Sequence, residues 1–242
     1  MHSRTGIPAF HAGSIKVLLA VLSCHSLRHY QQSVRCTWGT EVPPGVDLRF
    51  FLGVPQGPFE SDEVFLDVAD DFNNLTFKTV AIYKWALEQG YDWCFKCDLD
   101  TLVRPKLLLS SGLEKYDWVG GQNQVFASGG AGYGLSRRAM EYVVAVGGVP
   151  GHEEDVHIAR ILLGHGVQLH NDPRFLFCPG NVMNDDTITF HLSSVREWYY
   201  KGYKPEMLLE AWEDQKNRNY RAYLPGETLG QPEKRPIRFR RK

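Results

Sequence analysis

Short apolar runs rich in β-branched and aromatic residues alternate along this chain with segments of helical periodicity. The runs are "IKVLLAVLSC" (15–24), "VDLRFFLGV" (46–54), "YDWCFKCD" (91–98), "YDWVGGQ" (116–122), "GYGLS" (132–136) and "RFLFCP" (174–179). Short apolar runs bounded by turn residues are typical of buried strands. Strands that alternate with helices predict an α/β fold, with a mostly parallel central sheet and helices on both faces.

The helical segments begin and end at residues that suit helix termini. They cover 73–90, 136–148 and 153–166. Asp71 or Asn73 is placed to cap the first helix, and Gly90 to end it. Ser136 is placed to cap the second. The pattern therefore predicts helices that pack against the sheet.

The length of 242 residues suits one sizeable α/β domain. The predicted layout is an N-terminal extension over 1–14, one domain over 15–225 and a basic tail over 226–242.

Charge is unevenly distributed, although the net charge is only −1. The segment 234–242, "KRPIRFRRK", holds six of the 27 Lys and Arg residues and no acidic residue. We interpret it as a solvated terminus. The alternative is contact with nucleic acid or an anionic membrane surface.

Apolar runs and cysteines bear on the compartment. No stretch approaches the roughly 20 apolar residues that span a bilayer, and 15–24 is no convincing signal peptide. The five cysteines are an odd number, and no second pair completes a zinc site with Cys94 and Cys97. We expect free thiols in a reducing compartment, and thus a cytoplasmic or soluble peripheral protein.

The segment "KCDLDTLV" (96–103) places two carboxylates where a buried strand ends. Side chains at i and i+2 of an extended segment point the same way, so Asp98 and Asp100 can face one spot. A hard cation such as Mg²⁺ or Mn²⁺ would relieve their repulsion. Ligands of open α/β sheets bind beyond the carboxyl ends of the strands. The alternative is a solvated turn, because the D-x-D pattern alone is weakly specific.

Three further segments supply candidates for the same site. Acidic residues 153–155 open a predicted helix, where the helix dipole favours anions. His191 follows a β-rich run, and such a histidine is a ligand only if a metal is close. The glycine-rich "FASGGAGYGLS" (126–136) lacks the G-K-[ST] of a P-loop, but its backbone can approach a ligand closely.

Taken in order, these segments resemble glycosyltransferase family 31, the β-1,3-galactosyltransferase and Fringe-like group. The resemblance extends from about residue 15 to about residue 200. The segments that carry it are "RHYQQSVRCTWGT" (28–40), "DDFNNLTFKT" (70–79), "KCDLDTLV" (96–103), "SGGAGYGLS" (128–136), "EEDV" (153–156) and "FH" (190–191). Leu99 stands where the family has the middle aspartate of a triplet.

The resemblance implies a GT-A catalytic domain over 15–225, with a nucleotide-binding half over about 15–105 and an acceptor-binding half over about 106–225. The reaction that it implies is transfer of a hexose, with inversion, from a UDP-sugar to a hydroxyl acceptor. The hexose would be galactose, N-acetylglucosamine or glucose, the acceptor a glycan, and the bond of the β-1,3 type. It also implies Mn²⁺, with Mg²⁺ as the alternative, bound by Asp98, Asp100 and His191. Asp155 would be the general base, with Glu154 as its rival.

The resemblance also implies residues that hold the nucleotide. Arg28 and Arg35 would contact phosphate or base through their guanidinium groups. Asp71 would accept hydrogen bonds from uracil or ribose, and Lys78 would support the pocket. Asp98 and Leu99 complete the predicted donor site. Each residue has an alternative: surface arginines, a helix cap, a solvated lysine.

Three rival functions remain at this stage. A nucleotidyltransferase on a related scaffold would need a basic, glycine-rich phosphate loop near the N-terminus, and "HAGSIKV" (11–17) is a poor one. A sugar or nucleotide binder without turnover would need no base, so Asp155 argues against it. A glycosyltransferase that acts on modified nucleic acid bases would use the basic tail.

Overall fold

The computed structural model describes residues 15–151, 153–178, 180–195 and 204–217. Within them, seven strands form a central sheet in the order β10-β6-β9-β4-β1-β2-β3. These strands are β1 (Val17–Leu22), β2 (Val46–Leu52), β3 (Glu63–Phe65), β4 (Trp93–Asp98), β6 (Trp118–Gly120), β9 (Tyr133–Ser136) and β10 (His170–Asn171).

The direction of the strands divides this sheet into two parts. From β3 to β4 all neighbours are parallel, with β1 between β2 and β4. Strand β9 is antiparallel to both of its neighbours, β4 and β6, while β10 is parallel to β6. The prediction of a mostly parallel sheet is confirmed, and the reversal at β9 was not predicted.

Helices cover both faces of the sheet, as the pattern predicts. In β1, Val17 and Leu19 point into one apolar core and Leu18 and Ala20 into the other, because side chains alternate along a strand. The helices are α1 (Gln31–Cys36), α2 (Leu75–Glu88), α3 (Pro105–Ser110), α4 (Arg137–Val146), α5 (Glu154–Gly164), α6 (Leu192–Val195) and α7 (Pro205–Asn217). Helices α2, α4 and α5 build the second core, and α1, α3 and α7 contribute to the first.

Predicted helix termini are confirmed at three residues. The Asp71 carboxylate accepts hydrogen bonds from the backbone N–H groups of Asn73 and Asn74 at the turn that leads into α2. Gly90 follows α2 with a φ of 80°, which a glycine adopts at low cost. The Ser136 hydroxyl accepts from Ala139 N–H and caps α4.

A second, three-stranded sheet lies where β4 ends. It has the order β11-β12-β5, formed by β11 (Phe175–Leu176), β12 (Thr189–His191) and β5 (Thr101–Val103). A small hairpin of β7 (Gln122–Asn123) and β8 (Phe126–Ala127) completes the strands described. Because β12 pairs with β5 in antiparallel register, His191 lies opposite Thr101, next to Asp100.

The described residues also bear on the membrane and thiol predictions. None of the described helices is both long and apolar enough to cross a membrane. All five cysteines are unpaired, and Cys94 and Cys97 are buried in the core, as predicted. The N-terminal extension (1–14) and the basic tail (226–242) lie outside the described residues. The two halves of the domain remain a prediction.

Candidate metal and nucleotide site

The structure brings Asp98, Asp100 and His191 together. One ligand atom from each residue lies within 4.8 Å of the other two. Asp98 ends β4, Asp100 lies in the turn to β5, and His191 ends β12. The end of β4 in the central sheet and the end of β12 in the second sheet therefore meet at one point. We call these three residues the carboxylate cluster.

The donor atoms of the carboxylate cluster fit a divalent cation. His191 Nε2 lies 3.1 Å from Asp100 Oδ2, and ligand atoms at right angles on an octahedral Mg²⁺-sized cation lie about 3 Å apart. Ser193 donates a hydrogen bond to Asp100 Oδ2 and fixes the carboxylate. His191 Nδ1 is buried without a hydrogen-bond partner among the described residues. A mixed carboxylate and imidazole set favours Mn²⁺ over Mg²⁺.

Electrostatics couple Asp100 to His191. Burial alone would raise the pKa of Asp100, but the hydrogen bond and charge of His191, with the hydrogen bond from Ser193, hold this pKa below its usual value. Burial alone would lower the pKa of His191, but Asp100 raises it. The pair thus favours a carboxylate next to an imidazolium unless a cation replaces the proton.

A glycine pair separates His191 from Asp155. Gly129 N–H donates to Asp155 Oδ2 at 3.0 Å. A Cβ added to Gly130 would lie closer than 3.0 Å to three atoms of the His191 ring. The predicted close approach of this glycine-rich segment is therefore to a candidate ligand residue. It links the candidate base to the carboxylate cluster through one short backbone stretch.

Asp155 and Glu154 differ in exposure, which separates the two candidate bases. Asp155 is half-buried at the first turn of α5, and its Oδ1 accepts from Val156 N–H at 2.9 Å. Glu154 is only 3 % exposed and accepts a hydrogen bond from the Tyr133 hydroxyl. The enclosure of the Glu154 carboxylate in the core therefore favours Asp155 as the base.

Lys96 lies between the carboxylate cluster and Glu154. Its Nζ is 3.1 Å from Asp98 Oδ1 and 3.3 Å from Glu154 Oε2. Burial by itself lowers the pKa of Lys96, but the two carboxylates outweigh burial and raise it. The pKa of Glu154 is raised, because burial outweighs the opposing effects of Lys96 and Tyr133. Lys96 is therefore a buried cation shared by two carboxylates.

A cleft of about 390 Å³ opens over the carboxyl ends of β1 and β4. Leu99, in the middle of the "DLD" segment, is 5 % exposed and lines this cleft, as do both neighbouring aspartates. The full lining is Leu22, Ser23, Cys24, Leu27, Tyr30, Asp70, Asp71, Phe72, Leu75, Lys78, Asp98, Leu99 and Asp100. Apolar walls with carboxylates at one side suit a flat nucleoside whose phosphates reach a cation.

Lys78 and Asp71 line the cleft, but both have partners within the protein. Lys78 Nζ donates to Asp70 and to the Ser23 carbonyl, and burial lowers its pKa against the opposing effect of Asp70. Asp71 Oδ1 caps the turn before α2, and Asp71 Oδ2 accepts from the Asn74 amide at 2.8 Å. The helix-cap alternative for Asp71 is thus confirmed.

Arg28 and Arg35 are not among the residues that line the cleft. Arg28 forms a two-pronged contact with Glu63, with Nε to Oε1 at 2.7 Å. Arg35 binds Asp62 in the same way, at 2.7 and 2.8 Å, with its guanidinium carbon 4.8 Å from the Phe50 ring centroid. These guanidinium groups are therefore occupied near β3. The structure does not support their prediction as nucleotide ligands.

The sequence assigned no role to Lys96 or Asp70, and it left Tyr133 open as a core residue or a surface for a sugar ring. A lysine in an apolar strand, two residues before Asp98, was the available signal, because i and i+2 share a face. Tyr133 lies in the glycine-rich segment 126–136, in which the glycines were the expected functional feature. Asp70 precedes Asp71, for which a nucleotide contact was predicted. Its carboxylate accepts hydrogen bonds from Lys78 Nζ and from the backbone N–H groups of His25 and Gly53.

Comparison with known proteins gives little guidance. No family model matches the chain, and no curated protein sequence matches it. One solved structure that resembles it is CMP:2-keto-3-deoxy-manno-octonic acid synthetase complexed with CTP, with a TM-score of 0.45 and 10 % identity over 65 % of this chain and 89 % of that chain. At this level the likeness carries no information about the chemistry.

Proposed function

We propose that this chain is a metal-dependent, inverting glycosyltransferase of the GT-A type, related to glycosyltransferase family 31. It would transfer a hexose from a UDP-sugar to a hydroxyl of a glycan, with a β-1,3 type bond. The observation that carries the proposal is the convergence of Asp98, Asp100 and His191 beside a cleft at the carboxyl ends of β1 and β4. The order of family-like segments supports it.

Each need of the reaction has a residue to meet it. Asp98, Asp100 and His191 would hold Mn²⁺, which would neutralise charge on the leaving diphosphate. The apolar walls of the cleft, including Leu27, would take the nucleoside. These contacts orient the donor and exclude water from its reacting end.

Asp155 would act on the acceptor. Two backbone N–H groups, of Gly129 and Val156, fix its carboxylate. It would accept the proton of the acceptor hydroxyl while that oxygen bonds to the anomeric carbon. The bond from this carbon to the diphosphate oxygen breaks, and its electron pair leaves with UDP. A single displacement inverts the anomeric carbon and needs one base, by analogy with inverting glycosidases.

Calorimetric titration of UDP tests the donor site. We expect the wild type to bind UDP in the presence of Mn²⁺ and not in the presence of EDTA. We expect Asp100→Ala to bind UDP under neither condition. Asp185→Asn removes an exposed carboxylate that does not line the cleft, and it should bind as the wild type does.

The same titration separates the rivals. Binding that is independent of Mn²⁺ and of Asp100, or no binding, would contradict the proposal. Tighter binding of nucleoside triphosphates than of UDP would favour the nucleotidyltransferase alternative. Mn²⁺-dependent UDP binding without hydrolysis or transfer of any UDP-hexose would identify a binding protein instead.

A further inference from the structure

The proposed cation site has a positive charge directly behind it. Lys96 is 1 % exposed and points from the middle of β4 to the same side as Asp98. Its ammonium lies 3.1 Å from Asp98 Oδ1. A cation bound by Asp98 would therefore compete with Lys96 for that carboxylate.

Glu154 counteracts this competition. Its Oε2 lies 3.3 Å from Lys96 Nζ, on a residue that belongs to another element, α5. Its Oε1 accepts from the Tyr133 hydroxyl, and the Tyr133 ring centroid lies 5.8 Å from Lys96 Nζ. Glu154 is thus held in place, and it shares the lysine charge with Asp98. Asp155 is the other carboxylate whose charge acts on Lys96.

The exposures of the two carboxylates differ. The side chain of Asp98 is 33 % exposed and lines the cleft, whereas that of Glu154 is 4 % exposed and does not. Glu154 therefore has no direct access to a ligand in the cleft. Its effect on such a ligand would pass through Lys96 and Asp98.

We infer that Glu154 and Lys96 are positioning residues that set the affinity of the carboxylate cluster for its cation. Glu154 draws part of the lysine charge away from Asp98, and this leaves the Asp98 carboxylate available as a ligand. The inference rests on the proposed function, because it takes Asp98 as a metal ligand. It adds a buried lysine–glutamate pair that tunes the site without touching the cation.

Titration of the purified protein with Mn²⁺ alone tests the inference, with the electron paramagnetic resonance signal of free Mn²⁺ as the readout. We expect Glu154→Gln to weaken Mn²⁺ binding about tenfold or more, because Lys96 then pairs with Asp98 alone. The amide keeps the shape of the side chain and can still contact Tyr133. The Mn²⁺ affinity of the double variant Lys96→Met/Glu154→Gln should lie within about threefold of the wild-type value, because neither the lysine charge nor its buried partner is then present.

Tyr133→Phe is the matched control for a merely structural role. It removes the hydrogen bond that holds Glu154 but retains both charges, so Mn²⁺ affinity should stay within about threefold of the wild type. Equal weakening by Tyr133→Phe and Glu154→Gln, with no recovery in the double variant, would overturn the inference. Thermal unfolding checks that each variant is folded.

The double variant keeps the test decisive if Glu154→Gln does not fold. It replaces a buried ion pair by uncharged side chains of similar volume, a change that proteins often tolerate. Mn²⁺ affinity more than about tenfold below the wild type in this variant would overturn the inference. Loss of binding in Asp100→Ala, together with wild-type affinity in Glu154→Gln, would overturn the inference but leave the proposed function intact. No Mn²⁺ binding in the wild type would overturn both.

Discussion

Two groups of charged residues, one beside β3 and one at the end of β4, differ in how their charges are paired. In the arginine edge (Arg28, Arg35, Asp62 and Glu63), each guanidinium faces one carboxylate, and the charges cancel within the protein. In the carboxylate cluster, two aspartates share one histidine and part of one lysine. The first arrangement is complete without a ligand, and the second has carboxylate charge left for a cation. Pairing, rather than the presence of charge, distinguishes structure from function here.

The largest expected effect is on the candidate base, Asp155, which accepts a hydrogen bond from Gly129 and does not line the cleft. Asp155→Asn should lower the rate of UDP-hexose hydrolysis or transfer about 10²- to 10⁴-fold, because the amide cannot accept the proton of the attacking hydroxyl or water. UDP affinity with Mn²⁺ should change little, since Asp155 contacts Gly129 and Val156 rather than the cluster ligands. Steady-state kinetics and calorimetry give the two readouts.

Glu153→Gln is the control for that prediction. Glu153 is exposed at the start of the same helix, so its charge acts on α5 from a similar position. An equal loss of rate in Glu153→Gln would assign the effect to the charge of the helix terminus, and it would remove Asp155 from its role.

The second largest effect breaks the arginine edge. Arg28→Met leaves Glu63, whose side chain is fully buried, without its cation. We expect a loss of about 2 kcal/mol in the free energy of unfolding, less than for a fully buried pair because the Arg28 side chain is 28 % exposed. Urea unfolding measures it, and Arg28→Met/Glu63→Gln should recover most of the loss.

The same variant tests the nucleotide role predicted from the sequence. The affinity of folded Arg28→Met for UDP with Mn²⁺ should equal that of the wild type, because the guanidinium is occupied outside the cleft. A large loss of UDP affinity, with normal stability, would return Arg28 to the donor site and remove the contrast between the two regions.

Local patterns were enough to predict that Asp98 and Asp100 lie together, because both are placed at the end of an apolar strand, at the binding edge of an α/β sheet. His191 was predicted as their partner only through the family resemblance, because a histidine after a β-rich run is not by itself a ligand. Partners of Arg28 and Arg35 could not be found in this way. Glu63 and Asp62 lie 35 and 27 residues further along the chain, and no local periodicity selects them over other acids.

Glu154 and Asp155 show a second limit of local patterns. Neighbouring residues on a helix differ by about 100° in direction, so two adjacent carboxylates can differ in burial. In the structure, Glu154 is the buried one, because α5 turns it toward Lys96 on β4 and Tyr133 on β9. Helical spacing with Ile158, Ile161 and Leu162 places Glu154 on the buried face of α5, but no local pattern identifies the residues on the sheet that bind it.

A smaller effect sharpens the role of the glycine pair. In Gly130→Ala, the new Cβ would overlap the His191 ring and displace it from Asp100. We expect Mn²⁺ affinity to fall about 10- to 100-fold, the range for residues that orient metal ligands. Gly164→Ala is the control, because nothing lies within 4 Å of its Cβ, and it should bind Mn²⁺ normally. Equal affinity in both variants would contradict the role of Gly130.

The smallest effect concerns Asp172 and Arg174, an ion pair formed between residues two positions apart. Burial alone would raise the pKa of Asp172, but the hydrogen bonds and charge of Arg174 lower it. A lowered folded-state pKa stabilises the fold above the unfolded value of about 3.9, and the contribution is lost as pH falls through the folded value. Asp172→Asn should lower the free energy of unfolding by about 1 kcal/mol at pH 7, since the pair is partly exposed.

The difference from the wild type in urea unfolding should shrink below about pH 4. A difference that is constant with pH would mean that Asp172 acts through its hydrogen bonds to Arg174 alone. Charge pairing would then explain the stability that the arginine edge contributes, but not the contribution of the Asp172–Arg174 pair.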